Sequence, residues 1–321
     1  MKVLITGGAG FIGSHLAESY IGSGDSVVVL DDLSTGSLDN LKTIENSDRF
    51  EFTQGSACDK KLVDELVGKC DAVFHLAAAV GVQLIVDRPV HTIETNIHGT
   101  ESVLEASGRH KRKVLIASTS EVYGKSDNVP FAEDDDTVLG STRFSRWSYA
   151  CSKAIDEFLG FAYHQERSVQ VVIARLFNTI GPRQVGRYGM VVPRFVDWAL
   201  KGEDIMIYGN GKQTRCFCCV ADVVKAITGL MGTDRTEGRV YNVGSSEEVS
   251  IRQLAEKIIQ KTDSTSEIKY ISYEKAYGKP FDDMLRRVPC LDRIGETIGY
   301  RPSMDLDKTL DIIIESRREL L

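Results

Sequence analysis

A tyrosine and a lysine lie four residues apart in the run YACSK, as Tyr149 and Lys153. This spacing places both side chains on one face of a helix. A lysine ammonium near a phenol favours the phenolate and lowers the pKa of the tyrosine, so that the tyrosine can take a proton from an alcohol near neutral pH. The earlier run STSEVYG carries Glu121, a carboxylate that either manages a proton beside this pair or caps a turn. The two runs therefore predict a site for removing a proton from a hydroxyl.

A glycine cluster near the N-terminus predicts a binding site for a dinucleotide cofactor. The run TGGAGFIG spaces Gly7, Gly10 and Gly13 by three, between the apolar run KVLIT and a helical stretch. Small residues let the backbone approach a pyrophosphate, and a helix N-terminus offers free N–H groups and a positive dipole end. Strand, glycines, helix and strand in this order predict a dinucleotide site that includes Phe11 and Ile12.

The following strand indicates which dinucleotide is bound. The run SVVVLDD ends in Asp31 and Asp32, at the place where an acid accepts hydrogen bonds from a ribose 2′-hydroxyl and repels a 2′-phosphate. This favours NAD over NADP, the alternative being that the two acids only open a turn. The run FHLAA ends in small residues, including Ala77, as a chain passing close to a cofactor requires. His75 in that run is interpreted as a packed histidine.

These residues must be positioned by alternating strands and helices. Apolar, β-branched-rich runs follow one another as KVLIT, SVVVLDD, FEFTQG, AVFHLAA, KVLIASTS and VQVVIARLFN, with helical stretches between several of them. Nearly continuous apolar runs are typical of strands buried on both faces. The pattern predicts an α/β fold with a doubly wound parallel sheet and right-handed crossovers.

The pattern changes after Asn178, where GPRQVGRYGMVVPRF reads as a loop that enters a helix. We predict a first domain over residues 1–177 and a smaller C-terminal substrate-binding lobe over residues 178–321. Segments near residues 212–245 are expected to return to the first domain.

Composition excludes several classes of protein. The chain has 321 residues, a formal net charge of −7, and no apolar run approaching the roughly 20 residues that span a bilayer. An acidic chain of this kind argues against a nucleic-acid partner, and the absence of a leader-like segment predicts a cytoplasmic protein. The seven cysteines are interpreted as reduced thiols. The run CFCC has neither a second CxxC nor a close histidine pair, so no metal site is predicted.

Together the motifs resemble a known family. The runs TGGAGFIG, FHLAA, STSEVYG, YACSK, RLFNTIGPR and YGNGKQTRCFCCVADVV are similar to those of the extended short-chain dehydrogenase/reductases that modify nucleotide sugars. The resemblance covers essentially the whole chain. It implies a Rossmann-type NAD-binding domain, a nucleotide-sugar substrate, most simply a UDP-sugar, and a homodimer formed through helices near residues 94–106 and 149–165.

The resemblance also implies roles for single residues. Tyr149 is the base, and Lys153 is its partner and a contact of the nicotinamide ribose. Thr119 hydrogen-bonds the 4-hydroxyl of the sugar, Asn178 contacts the diphosphate, and Arg215 pairs with a phosphate. One departure is that the run GSACD has a serine where the family usually has an aspartate that holds the adenine amino group.

Members of the family share a first step, hydride transfer from C4 of the sugar to NAD, and differ in what the 4-ketone does next. A 4-epimerase returns the hydride to the other face, a dehydratase loses water, and a uronate decarboxylase loses carbon dioxide. Glu121 resembles an acid of dehydratases and of UDP-glucuronate decarboxylases. Arg146 and Arg287 resemble carboxylate- or phosphate-binding residues of decarboxylases, whereas Arg187 resembles the carboxylate-binding arginine of UDP-glucuronate 4-epimerases.

The leading hypothesis is decarboxylation of UDP-glucuronate to UDP-xylose. The first alternative is a UDP-glucuronate or UDP-glucose 4-epimerase, and a sugar-nucleotide 4,6-dehydratase ranks lower. A non-catalytic NAD-binding regulator also ranks lower, because the tyrosine, the lysine and the threonine of the catalytic group are all present.

Overall fold

A parallel sheet of seven strands forms the centre of the described part of the chain. The computed structural model describes residues 1–81, 85, 87–186, 189–277 and 284–320. The strands of the sheet are β1 (Lys2–Thr6), β2 (Ser26–Asp31), β3 (Phe50–Gln54), β4 (Ala72–His75), β5 (Lys113–Thr119), β6 (Val171–Leu176) and β11 (Arg239–Val243). Their order across the sheet is β3, β2, β1, β4, β5, β6, β11, so the direction of winding reverses between β1 and β4.

The apolar runs form central strands because both of their faces are buried. Leu4 of β1 packs into one core cluster, while its neighbours Val3 and Ile5 pack into the cluster on the opposite face. In register, Val3 lies beside Val27 of β2 and Ala72 of β4. A strand in this position has no polar face, which is why its sequence does not alternate.

Helices cover both faces of the sheet. The helices of the structure are α1 (Phe11–Gly22), α2 (Lys60–Gly68), α3 (Pro89–His110), α4 (Arg146–Arg167), α5 (Val191–Lys201), α6 (Val220–Met231), α7 (Ile251–Thr262), α8 (Tyr273–Tyr277), α9 (Asp292–Ile298) and α10 (Leu306–Arg318). Short 3₁₀ turns occur at Leu38–Leu41, Ser120–Tyr123 and Asp234–Thr236. Helices α2, α3 and α4 pack on one face, and α1, α6 and α9 pack on the other. The predicted doubly wound α/β fold is confirmed.

The second lobe has a core of its own, made by α5, α7 and α10 with several short strands. These strands are β7 (Thr179–Ile180), β8 (Ile205–Tyr208), β9 (Thr214–Cys216), β10 (Cys218–Cys219), β12 (Glu248–Ser250) and β13 (Ile268–Ile271). Strands β7 and β10 pair in parallel, as do β8 and β13, whereas β9 and β12 are antiparallel. This lobe packs beside the end of the sheet where the candidate site lies.

The chain crosses between the two parts more often than its sequence indicates. Helix α6 and strand β11 fall within the predicted returning segment, residues 212–245, and both belong to the first domain. Helix α9 returns as well, because Ile294 and Tyr300 pack in the core cluster of the first domain. The run CFCC lies in β9 and β10, with all its thiols free. No described helix is long and apolar enough to cross a bilayer. The described residues also contain no group of three or more histidine, cysteine, aspartate or glutamate side chains that could hold a metal ion.

Candidate active site

The turn between β1 and α1 brings the predicted glycines to the end of the first strand. The N–H group of Gly10 donates to the carbonyl oxygen of Gly7 at 3.1 Å. A Cβ atom on Gly13 would lie 2.3 Å from that same oxygen, and one on Gly7 would lie 2.7 Å from the backbone nitrogen of Ala77. Three backbone segments therefore meet here without side chains between them. The residues of this turn line one cavity: Gly7, Gly10, Phe11, Ile12 and Gly13.

Two carboxylates follow at the end of β2. Asp31 is buried, and its two oxygens accept N–H groups of Ala9 at 2.9 Å and Leu33 at 2.8 Å. Burial raises the pKa of Asp31, and these two hydrogen bonds oppose the rise. Asp32 is exposed and accepts the N–H group of Ser34 at 2.9 Å. Both aspartates line the cavity. Since a carboxylate oxygen can accept a second hydrogen bond, both can still bind ribose hydroxyls.

The end of β4 completes this side of the cavity. Ala77 lines the cavity, and its N–H group donates to the hydroxyl of Thr6 at 3.3 Å. His75 is fully buried between the hydroxyls of Thr6, at 2.8 Å, and Thr100, at 3.2 Å. Burial lowers the pKa of His75 to about 3, so the ring is neutral, as expected of a packed histidine. Ser56, the departure noted in the sequence, lines the same cavity.

Thr119 and Glu121 are positioned by the end of β5. Thr119 is the last residue of that strand, and its hydroxyl accepts the N–H group of Glu121 at 3.2 Å, which starts the 3₁₀ turn at Ser120–Tyr123. The same hydroxyl hydrogen-bonds Tyr149. The carboxylate of Glu121 lines the cavity. Glu121 therefore points toward the candidate base instead of capping a distant element.

Tyr149 is buried in the first turns of α4 and lines the cavity. The pKa of Tyr149 is raised, first by burial and then by the negative charges of Glu121 and Asp156. The hydrogen bond from Thr119 and the charge of Arg287 lower the pKa of this tyrosine, but they do not offset the rise. The predicted lowering of the phenol pKa is therefore wrong for these residues taken together. An anion beside the phenol and its removal from water both oppose the phenolate.

The ammonium of Lys153 is in direct contact with a carboxylate. Its ammonium donates to Oδ2 of Asp156 at 2.7 Å, and both side chains are almost completely buried. Lys153 lies one helical turn after Tyr149, as predicted. Lys153 is not one of the described residues that line the cavity.

Two arginines from different parts of the chain meet Glu121. Arg146 is the first residue of α4, and its guanidinium lies 3.9 Å from Oε1 of Glu121. Arg287 comes from the C-terminal part of the chain and donates to the same oxygen at 3.3 Å. Both arginines are buried, and all three residues line the cavity. Two buried guanidinium groups lie beside Tyr149 in this cavity, and their planar forks suit the oxygens of an anionic ligand group.

Two of the three remaining predicted substrate contacts line the cavity. Asn178 lines the cavity, and its side-chain amide donates to the carbonyl of Cys216 at 3.4 Å. Arg215 also lines the cavity, and its guanidinium donates to the carbonyl of Thr214 at 2.7 Å. Arg187, predicted as a carboxylate contact, lies outside the described residues.

The cavity itself has a volume of about 650 Å³ and extends from the glycine turn to the second lobe. On the lobe side, sequence analysis missed Arg194, whose guanidinium stacks on Trp198 and Tyr208 and hydrogen-bonds the hydroxyl of Tyr208 at 2.6 Å. Sequence analysis also missed Asp156, because its spacing from Lys153 does not show that the two side chains meet in the core. A single cavity thus joins the predicted dinucleotide site, the catalytic group and the second lobe.

Comparison with known proteins identifies the family. The family described as GDP-mannose 4,6 dehydratase matches residues 4–313. The chain belongs to this family of extended short-chain dehydrogenase/reductases. It is 41% identical over 320 residues to a UDP-N-acetyl-alpha-D-glucosaminuronate decarboxylase of Bacillus cytotoxicus, covering 99% of this chain and 98% of that protein. It is 35% identical to UDP-glucuronic acid decarboxylase 6 of Arabidopsis thaliana, covering 99% of this chain and 89% of that protein.

A solved structure of the same family agrees in fold. The UDP-glucuronic acid 4-epimerase of Bacillus cereus, in complex with UDP-glucuronic acid and NAD, superposes with a TM-score of 0.90 at 26% identity and covers 100% of both chains. The prediction of a nucleotide-sugar enzyme of the extended short-chain family, related to uronate decarboxylases and 4-epimerases, is confirmed. Binding of NAD is a property of this family.

Proposed function

We propose that this extended short-chain enzyme binds NAD and removes carbon dioxide from a UDP-linked hexuronate through a 4-keto intermediate. The observation that carries the proposal is the placement of Arg146 and Arg287 around Glu121, beside Tyr149. A substrate carboxylate entering this region meets two buried guanidinium groups, whose planar forks match carboxylate oxygens. A neutral hexose offers no anionic group for them to bind.

The glycine turn and the two aspartates fit the cofactor. The first turn of α1 would hold the NAD pyrophosphate, since its backbone is free of side chains at Gly7, Gly10 and Gly13. Asp31 and Asp32 would accept the adenosine ribose hydroxyls, and Ala77 leaves room for the chain to pass the cofactor. When bound, NAD supplies an oxidised, positively charged nicotinamide that accepts the hydride of C4 and later returns it.

The protein residues manage the protons. Tyr149 takes the proton of the 4-hydroxyl, with Thr119 holding both the phenol and the sugar oxygen in place. The resulting ketone lies β to the C6 carboxylate. The C5–C6 bond can then break, its electrons forming the C4–C5 enolate as carbon dioxide leaves. A proton then adds to C5, and Glu121 is placed to order the water that delivers it. Finally, Tyr149 returns its proton to O4 as the hydride returns to C4.

The second lobe would hold the nucleotide. Arg215 and Asn178 line the cavity between the catalytic group and β8, where they would contact the diphosphate. An arginine suits this role because its planar fork matches phosphate oxygens. We further propose that the enzyme is a homodimer formed through the exposed faces of α3 and α4.

The names of the relatives suggest two substrates of one class. The relative at 41% identity acts on the 2-acetamido uronate, and the relative at 35% acts on UDP-glucuronate. Incubating the protein and NAD with each compound, and following the products by mass, tests the proposal. Loss of the mass of carbon dioxide from either compound is the expected result. An isomer of unchanged mass would instead establish a 4-epimerase, and no change with either compound would overturn the proposal.

A Tyr149→Phe variant tests the assignment of the base. Loss of general base catalysis typically costs about 10²–10⁴ in rate, so turnover should fall by at least about a hundredfold. Binding of NAD should persist, because the change removes one hydroxyl and leaves the glycine turn intact. An unchanged rate would show that another group removes the proton.

A further inference from the structure

A continuous set of buried polar side chains lies behind Tyr149, and the family resemblance implies a role for only one of them, Lys153. The set runs from β1 through β4 and α3 to α4, and each member is at most 2% exposed. Its members are Thr6, His75, Thr100, Asp156 and Lys153. Buried polar groups are costly unless they are hydrogen-bonded, so a chain of five in a hydrophobic core calls for a physical reason.

The hydrogen bonds of this set run in one direction. Thr6 accepts the N–H group of Ala77, so its own hydroxyl proton is available to Nδ1 of His75. The neutral imidazole then carries its proton on Nε2 and donates it to Thr100. Burial raises the pKa of Asp156, and Lys153 and the hydroxyl of Thr100 oppose that rise. In this arrangement Thr6 donates to His75, and His75 donates to Thr100, which lies beside Asp156.

Lys153 approaches the same carboxylate from the other side. Its ammonium is 2.7 Å from Oδ2 of Asp156, and the two side chains are 2% and 0% exposed. An ammonium without a counter-ion in such a position would lose its proton or leave the core. The carboxylate also uses only one of the three ammonium protons, so two remain for other acceptors.

We propose that Asp156 is a positioning residue that fixes the location and the charge of Lys153 for the cofactor and for Tyr149. This inference rests on the proposed function, because it assumes that Lys153 serves the bound NAD. Thr100, His75 and Thr6 act behind it, since they orient the carboxylate that receives the ammonium. These side chains thus connect the backbone at Ala77, on the cofactor side of the cavity, to helix α4.

Other charged and titratable groups lie on the same helix and on neighbouring elements. They are Arg146 and Glu157 on α4, Glu121 after β5, His75 on β4, Arg175 on β6 and Arg287 from the C-terminal segment. Glu157 is bound by Arg175, and Glu121 is flanked by two arginines. Asp156 is thus the carboxylate in direct contact with Lys153.

The test compares NAD affinity across pH in the wild type and in Asp156→Asn, with no sugar nucleotide present. Without its counter-ion, Lys153 should lose its proton at a lower pH. The pH above which NAD affinity declines should therefore be at least about one unit lower in the variant than in the wild type. At alkaline pH, the variant should bind NAD at least about tenfold more weakly than the wild type. Asp222→Asn is the matched control, because Asp222 is an equally buried aspartate that binds Ser303 and Met304 away from the cavity. Superimposable curves for the wild type and Asp156→Asn would overturn the inference.

A second comparison covers the case in which Asp156→Asn does not fold. Lys153→Met and the double variant Lys153→Met/Asp156→Asn leave no ammonium in the pocket, and replacing both members of a buried ion pair is often tolerated. If Asp156 acts through Lys153, the two should bind NAD within about twofold of each other, because coupled residues are not additive. A further tenfold loss in the double variant would contradict the inference. Failure of the wild type to bind NAD would instead overturn the proposed function.

Discussion

At the scale of the residue, the charges around Tyr149 decide when the phenol can act as a base. Burial and then the charge of Glu121 raise the pKa of Tyr149, whereas the hydrogen bond from Thr119 lowers it. A group whose pKa is raised holds its proton over a wider range of pH. The rate of the first hydride transfer should therefore increase with pH through the neutral range, about tenfold per unit below the pKa of Tyr149.

Substitutions of Glu121 and of Thr119 should shift the pH dependence of hydride transfer in opposite directions. Glu121→Gln removes an anion beside the phenol, so the acid limb of nicotinamide reduction should move down by about one pH unit. Thr119→Val removes a hydrogen bond that favours the phenolate, so the limb should move up. Both shifts are measured from nicotinamide absorbance after rapid mixing with the sugar nucleotide. Equal profiles in the wild type and both variants would show that a different group titrates.

The spacing of Tyr149 and Lys153 was sufficient to predict the helix face that carries them. It was not sufficient to predict the partner of the lysine, because an acid three residues along a helix is usually at the surface. Only the burial of α4 against β4 and α3 shows that Asp156 faces Lys153 in the core. The direction of the pKa of Tyr149 was mispredicted because its sequence motif does not show how deeply the phenol is buried or that Glu121 lies beside it.

At the scale of the element, the glycine turn depends on contacts between backbone segments. Gly13 and Gly22 lie in the same helix, α1, but only Gly13 is packed against another segment. Motif spacing predicted the position of the turn correctly, since strand, glycines and helix are adjacent in the chain. The additional return of α9 was not predictable, because its packing on β11 depends on the path of the second lobe.

Alanine at each of these glycines provides a matched pair. Gly13→Ala places a Cβ within 2.6 Å of the backbone of Gly8 and 2.3 Å of Gly7, so the turn must shift. This variant should lose about 1–3 kcal/mol of unfolding free energy and most of the stabilisation that NAD provides. Gly22→Ala meets nothing within 4 Å and should gain up to about 1 kcal/mol. Thermal unfolding of each variant with and without NAD measures the stability and the stabilisation by NAD. If NAD raised the melting temperatures of the two variants equally, the assigned role of the turn would be contradicted.

At the scale of the whole molecule, residues from both lobes complete the candidate site. Arg287 and Glu121 are 166 positions apart in the chain and meet only because the C-terminal segment returns over the cavity. Sequence reasoning proposed each residue from its local motif but had no means of predicting that they touch. Apolar side chains of α3 and α4 remain exposed on the opposite side, with Phe158 75% and Val90 65% exposed.

The proposed homodimer makes a prediction for this exposed face. A large apolar surface on a monomer is typical of an interaction site. Phe158→Glu should therefore shift the sedimentation of the protein from dimer toward monomer. Ile312→Glu, at an exposed apolar residue of α10, is the control and should sediment as the wild type does. A wild-type protein that sediments as a monomer would contradict the proposal.

The most direct test of the central claim follows the carboxyl carbon of the substrate. UDP-glucuronate and its 2-acetamido analogue, each carrying isotopically labelled carbon at C6, are mixed with the enzyme and NAD. We predict that labelled carbon dioxide is released from at least one compound, and that Tyr149→Phe with bound NAD releases it at least about a hundredfold more slowly. Label that stays entirely in the nucleotide sugar, while the wild type still binds NAD, would contradict the account.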